Sequence, residues 1–133
     1  MSHDDDRERT ILLIEEDDDA RPLLKRNLQT YGYRVLVTVD AEDAMQRAGE
    51  GSLHADLILM NLVGVSSDET LRAGRLIRQQ TKLDVPLVVM AEHFGADVEG
   101  TNVNVAENDW ITYIEDHDQL KNLLDRLTSN TGE

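Results

Sequence analysis

The chain contains no cysteine. Disulfides, thiolate metal centres and thiol nucleophiles are therefore excluded, although the compartment is only weakly constrained, since disulfide-free domains also occur outside the cytosol. Also missing are any long uncharged apolar run and any charged-then-apolar leader, so neither a membrane span nor a secretory signal is expected, and the expected location is the cytoplasm. Positive charge is scarce: 13 Lys and Arg stand against 27 Asp and Glu, a formal net charge of −14. Such a surface repels phosphates, so direct nucleic-acid or membrane binding is not expected; basic protein surfaces and divalent cations are its natural counterparts. The histidines His3, His54, His93 and His117 lack any paired ligand spacing and read as surface residues. What the chain does have suits one domain: 133 residues, 40% of them hydrophobic, are enough for a single core.

The pattern along the chain alternates between strand and helix. Residues 1–9 are polar, rich in Asp and Arg, and read as a flexible acidic tail. Thr10 to Ile14 is a compact apolar run bounded by the acidic block Glu15-Glu16-Asp17-Asp18-Asp19, which reads as a first strand followed by a helix cap. From Ala20 to about Thr30 the spacing predicts a helix with Leu23, Leu24 and Leu28 inward; Pro22 is tolerated in its first turn and carboxylates suit its N-terminus. Arg34 to Val39 predicts a second strand, and Asp40 caps a helix through Gln46 that frays near Gly49 and Gly51.

The run that organises the rest is Asp56-Leu57-Ile58-Leu59-Met60-Asn61-Leu62-Val63. It reads as a buried strand of a parallel sheet whose C-terminal end presents Asn61. Ser66 or Ser67 then caps a helix from Asp68 to about Gln80 with Leu71, Leu76 and Ile77 inward, and Pro86 opens a strand over Leu87 to Met90. Between Glu92 and Ala106 the glycines, asparagines and β-branched valines are poor helix material, but the alternation still predicts a short or distorted helix there. Trp110 to Tyr113 reads as a fifth strand. Gln119 to Leu127 reads as the last helix, with Leu120, Leu123, Leu124 and Leu127 on one face, and residues 128–133 as a frayed end or linker stub. The expected fold is thus a three-layer α/β sandwich, a doubly wound parallel sheet of five strands.

From Thr10 to about Leu127 the sequence resembles the receiver (CheY-like) domains of bacterial two-component response regulators. The features that carry the resemblance are the acidic cluster after the first strand, Asp56-Leu57-Ile58-Leu59 leading to the acceptor position, Val85-Pro86, and Asn108-Asp109-Trp110-Ile111-Thr112. The resemblance implies the flavodoxin-like strand order 2-1-3-4-5, with the crevice at the carboxyl ends of the strands. It also implies phosphoryl transfer from a histidine kinase to an Asp ending the third strand, with Mg²⁺ held by the acidic corner.

Three parts of the family's site are replaced. Asn61 stands at the acceptor Asp and cannot form an acyl phosphate. Ala91 stands where the family has a Ser or Thr hydroxyl, and Tyr113 where it has a Lys. In the loop that follows, Val65 and Asp68-Glu69 depart from the usual Pro and Asp-Gly. Trading an anion for Asn61 and a cation for Tyr113 leaves the pocket's formal charge unchanged. Trp110 falls on the aromatic switch position, whose coupling to a hydroxyl is cut by Ala91. Glu15, Glu16, Asn61 and a carbonyl near Val63 are the donors for a weak Mg²⁺ site, and no cofactor is required.

Blander readings remain open: the acidic run as a solvated helix N-terminus, Tyr113 as a packed ring, Trp110 as an ordinary half-buried aromatic, and Asn61 as an amide that satisfies backbone. The expected function is a phosphorylation-independent interaction module rather than an enzyme. Its partners would be signalling proteins (a kinase, an output domain or another regulator), and dimerisation is compatible with it. The alternative is a phosphorylatable receiver using Mg²⁺ and a non-standard acceptor, Asp17, Ser66 or Ser67. Five consecutive acids after the first strand argue against a flavin or nucleotide binder.

Overall fold

The computed structural model describes residues 9–49, 54–91 and 95–129. A six-stranded sheet runs in the order β2-β1-β3-β4-β6-β5. Its strands are β1 (Thr10–Glu15), β2 (Arg34–Thr38), β3 (Leu57–Asn61), β4 (Leu87–Met90), β5 (Asn102–Ala106) and β6 (Asp109–Thr112). The helices are α1 (Ala20–Thr30), α2 (Ala41–Gly49), α3 (Ser67–Thr81) and α4 (His117–Thr128). All pairings are parallel except that of β5 with β6.

β1 and β3 are the centre because they are apolar on both faces. Ile11, Leu12, Leu13 and Ile14, and Leu57 through Met60 beside them, are fully buried, each side chain contributing roughly 1.5–3 kcal/mol of transfer free energy. The strand period of two divides them between layers. Leu12, Ile14, Ile58 and Met60 meet Ala44 of α2 and Leu71 and Ile77 of α3. Ile11, Leu13, Leu57 and Leu59 meet Leu28 of α1 and Leu120, Leu123 and Leu124 of α4. Three layers follow. The packing of α3 on the sheet is close enough to need a glycine: a Cβ on Gly74 of α3 would stand 2.7 Å from Leu87 Cδ1 and 2.8 Å from Met60 Sδ.

Local signals set the element ends. Ser66 accepts from the Glu69 N–H while the Glu69 carboxylate accepts from the Ser66 N–H, a reciprocal capping box that starts α3. Asp40 accepts from the Asp43 N–H at the start of α2, and Asp116 from the Gln119 N–H at the start of α4.

The expectation of five parallel strands is corrected. Where strand-helix alternation predicted a distorted helix over 92–106, the described part of that segment holds turns over 96–100 and then β5, which pairs antiparallel with β6. The physical reason is that Val103 and Val105 alternate with Asn102 and Asn104, a strand period, and the tight connection at Glu107-Asn108 lets β5 cover the otherwise open side of β6. The order 2-1-3-4-5 survives as β2-β1-β3-β4-β6 with one strand added outside it.

Smaller corrections concern faces and ends. Leu23 and Leu76, expected inward, are 59% and 49% exposed. Arg9, assigned to the tail, already accepts at its carbonyl from the Arg34 N–H. Thr128, assigned to the frayed end, lies in α4 and is buried. Residues 1–8 and 130–133 of the two expected tails, along with His3 and His93, lie outside the described residues, and His54 is exposed as expected.

Two polar contacts tie the layers together. Asp109 at the start of β6 is buried and pairs with two cations of α3, Arg75 Nε at 2.7 Å and Arg78 Nη2 at 2.6 Å. With two cations on one buried carboxylate, loss of either arginine still leaves Asp109 compensated by the other. At the opposite face Tyr33 donates its hydroxyl to Asp125 Oδ1 at 2.5 Å, with Thr128 Oγ1 3.3 Å away.

Burial, aided by the bond to Asp125, raises the Tyr33 pKa above its ordinary value of 10.0. The folded state therefore holds this proton more tightly than the unfolded chain. Its stabilising contribution is complete below the ordinary tyrosine pKa and is lost as pH rises through the raised one. Tyr33→Phe is expected to lower stability at neutral pH by about 1–1.5 kcal/mol and to flatten the alkaline decline; parallel alkaline denaturation profiles for the two proteins would refute this.

Candidate functional site

Parallel register brings the site together. Glu15 ends β1, Asn61 ends β3, and the two are direct cross-strand partners. Both are buried, Glu15 to 2% exposure. An ionised carboxylate this deep must be compensated by charge or hydrogen bonds. Asn61 supplies one bond, its Nδ2 donating to Glu15 Oε2 at 2.7 Å, and the Asp17 N–H donates to the same oxygen at 3.2 Å. An aspartate at 61 would have offered a second negative charge and no donor.

The remaining acids are turned to the backbone. Glu16 reaches across to the loop after β3, where its Oε1 accepts from the Val63 N–H at 2.7 Å. Asp17 Oδ1 accepts from the N–H groups of Asp19 and Ala20, which folds the loop into the start of α1. Asp18 pairs with Arg21 Nη2 at 2.7 Å. Arg21, which sequence reasoning missed, also donates from Nε to the Glu15 carbonyl at 2.8 Å and from Nη2 to the Glu16 carbonyl at 3.3 Å. Its guanidinium thus fastens the loop between β1 and α1 and is the cation nearest the acidic corner in sequence. A lone Arg three residues after Asp18 was the available signal, read only as part of a helix.

The other replaced positions lie in a different layer. Ala91 and Tyr113 are partly buried and pack against the cluster under α2 and α3. The Ala91 N–H bonds the Thr112 carbonyl, and the Tyr113 N–H bonds that of Thr101. Trp110 instead packs with the α1 and α4 layer, and its ring lies 5.2 Å from the Arg126 guanidinium carbon, a cation–π contact. Trp110 is thus a half-buried aromatic held against α4. A cleft of about 580 Å³ opens next to Asn61, lined also by Val63, Val65, Ser66, Ser67 and Met90. Of the alternative acceptors, Asp17 is engaged with the N–H groups of Asp19 and Ala20, and Ser66 as the cap of α3.

Mg²⁺ asks for oxygen ligands in a near-octahedral shell. Here Asn61 turns an N–H to Glu15, Glu15 Oε2 is used twice, and at Val63 it is the N–H that is engaged, with Glu16. Among the described residues no group of three His, Asp or Glu is placed to hold a metal ion. As arranged, the donor set does not fit the cation.

No protein-family model matches the sequence. The architecture, by contrast, has many solved counterparts. The receiver domain of a sensor histidine kinase from Pseudomonas aeruginosa, which carries a magnesium ion in its active site cleft, superposes with a TM-score of 0.65 at 22% identity, covering 93% of this chain and 100% of that one. A response regulator from Thermotoga maritima gives 0.66 at 16% identity over 93% of this chain and all of its own. The fold is that of a receiver domain. A response regulator receiver protein from Sinorhizobium medicae gives 0.69 at 15% identity, covering 93% and 97% of the two chains. In sequence, the chain is 26% identical over 102 residues to the uncharacterized transcriptional regulatory protein YkoG of Bacillus subtilis, covering 77% of this chain and 43% of that protein. It therefore spans less than half the length of that relative. No described helix is long and apolar enough to cross a membrane.

The Glu15–Asn61 contact generates a stability prediction. Asn61→Asp sets two buried carboxylates side by side, so one of them takes a raised pKa and stability falls as pH rises through it. At neutral pH the variant is expected to lose about 1–3 kcal/mol, and Mg²⁺ is expected to raise its Tm while leaving that of the parent unchanged. Equal Tm values for the two proteins in the absence of metal would mean that this bond does not hold the corner.

Proposed function

We propose that this receiver-fold chain is a pseudo-receiver: a signalling module that works through protein contacts and does not take a phosphoryl group. The observation that carries the reading is the bond from Asn61 Nδ2 to Glu15, which places a neutral donor at the acceptor position and spends it on the buried acid. Phosphoryl transfer to a receiver needs a nucleophile, a metal and a cation around the developing charge. Asn61, Ala91 and Tyr113 replace the nucleophile, the hydroxyl and the cation, and they form the degenerate pocket. Glu15, Glu16, Asn61 and Val63 satisfy one another where a metal would be held. Regulation then comes from the abundance or binding state of the chain rather than from its covalent state. A histidine kinase, an output domain or another regulator is the partner class that fits, because receiver-fold relatives work beside such proteins.

Incubation with a small phosphodonor and Mg²⁺ is expected to leave the intact mass unchanged; a stoichiometric gain of one phosphoryl group would overturn the reading. Restoration supplies a second arm. Asn61→Asp alone is expected to label poorly and to leave Trp110 emission nearly constant, whereas adding Ala91→Thr and Tyr113→Lys is expected to recover measurable labelling. Complete labelling of the single variant with a large emission change would show that only the nucleophile had been lost.

A further inference from the structure

We infer that the outer edge of β5 is a docking site for an extended segment of a partner protein, one with alternating β-branched residues flanked by Lys or Arg. The inference goes beyond the pseudo-receiver reading and does not depend on it, since β5 lies outside the acidic corner.

The argument begins with hydrogen-bond direction. The Thr112 carbonyl accepts from the Ala91 N–H, so Thr112 faces β4, and the alternation of an antiparallel ladder turns Ile111 and Tyr113 toward β5. Ile111 is opposite Val103, whereas Asn102 and Asn104 are opposite Thr112 and Trp110. The backbone N–H and C=O groups of Asn102 and Asn104 consequently point away from the sheet. No described strand lies beyond them.

A bare edge invites pairing, and proteins commonly block it with Lys, Pro or a strong twist. β5 carries neither charge nor proline, only Asn-Val-Asn-Val-Ala. One irregularity between Asn104 and Ala106 is closed internally, since Asn104 Nδ2 donates to the carbonyls of Ala106 and Asp109. Val103, opposite Ile111 in the regular part of the ladder, and Val105, at the irregularity, are 39% and 41% exposed and give the edge apolar side chains that an incoming strand can cover.

Charge decides the occupant. Asp97 and Glu99 precede the strand and Glu107 follows it; all three are exposed, and among the described residues none makes an ion pair. Between residues 95 and 108 there is no Lys or Arg. The cations nearest the strand are engaged: Arg75 and Arg78 with Asp109, and Arg126 over Trp110. A second copy laid antiparallel along β5 would bring Glu99 of each chain toward Glu107 of the other, between molecules of formal charge −14. A strand with basic ends meets acids at both ends instead, which adds steering to the backbone bonds of β-augmentation.

The test is selection of a displayed random-peptide library on the full chain. Enriched peptides are expected to alternate β-branched residues between Lys or Arg flanks and, once bound, to slow hydrogen exchange at the Asn102 and Asn104 amides. Two variants locate the site. Asn104→Pro removes an outward N–H, and Val105→Lys leaves the backbone intact while placing a cation against the basic flanks. Each is expected to weaken capture at least about tenfold. If circular dichroism shows Asn104→Pro unfolded, Val105→Lys decides. Failure to enrich such peptides, binders that tolerate Val105→Lys, or sedimentation showing a dimer that Val105→Lys dissolves would each overturn the inference. An unchanged mass with phosphodonor bears only on the pseudo-receiver reading, so the two can fail separately.

Discussion

A carboxylate buried at the end of a central strand must be neutralised or hydrogen-bonded, and in this protein the requirement falls on Glu15. The apolar β1 and β3 pair in parallel from Ile11 to Glu15, and that register sets Glu15 directly beside the residue ending β3. An amide there turns a problem of repulsion into a hydrogen bond of 2.7 Å. Arg21 closes the corner from above by binding the carbonyls of Glu15 and Glu16. In the corner the side chains of Glu15, Glu16 and Asp17 each accept from an N–H group of the chain itself.

The second consequence of the sheet's construction lies at its other side. A parallel sheet ends in an open edge, and here the chain covers β6 with a short antiparallel strand instead of a helix. That exchange relocates the exposed backbone outward by one strand and removes helical cover from the valines beside it. It also fixes Asp109 at the tight connection, where α3 approaches with Arg75 and Arg78. The buried ion pairs hold β6 to α3, so the added strand hangs from a part of the sheet that is itself firmly anchored.

The pseudo-receiver reading and the inference about β5 rest on opposite ends of the molecule. At one, Glu15 and Glu16 accept from Asn61 and Val63. At the other, the backbone of Asn102 and Asn104 faces outward between acidic flanks. A module that signals through contact needs a stable interior and an accessible recognition surface, and neither requires a covalent switch.

Much of this was legible in the residues because it depends on short-range pattern. The uninterrupted apolar runs at β1 and β3, the Ser66–Glu69 cap and the leucine spacing of α4 are local signals, and the elements form where those signals lie. The placing of Asn61, Ala91 and Tyr113 at the carboxyl ends of three strands was likewise visible, since it follows from where the apolar runs stop. Segment 92–106 was misread because its valine alternation is only a few residues long, and its strand exists by pairing with β6, a long-range event no local period encodes. Leu23 and Leu76 were misplaced for a related reason: a helical stripe is wider than the contact the neighbouring layer makes. The sequence by itself determined the layered α/β class, because that class follows from alternating local patterns. Tertiary structure alone decided that Asn61 donates to Glu15, that Arg21 locks the acidic loop, and that β5 is the free edge, because each depends on which strand ends lie side by side.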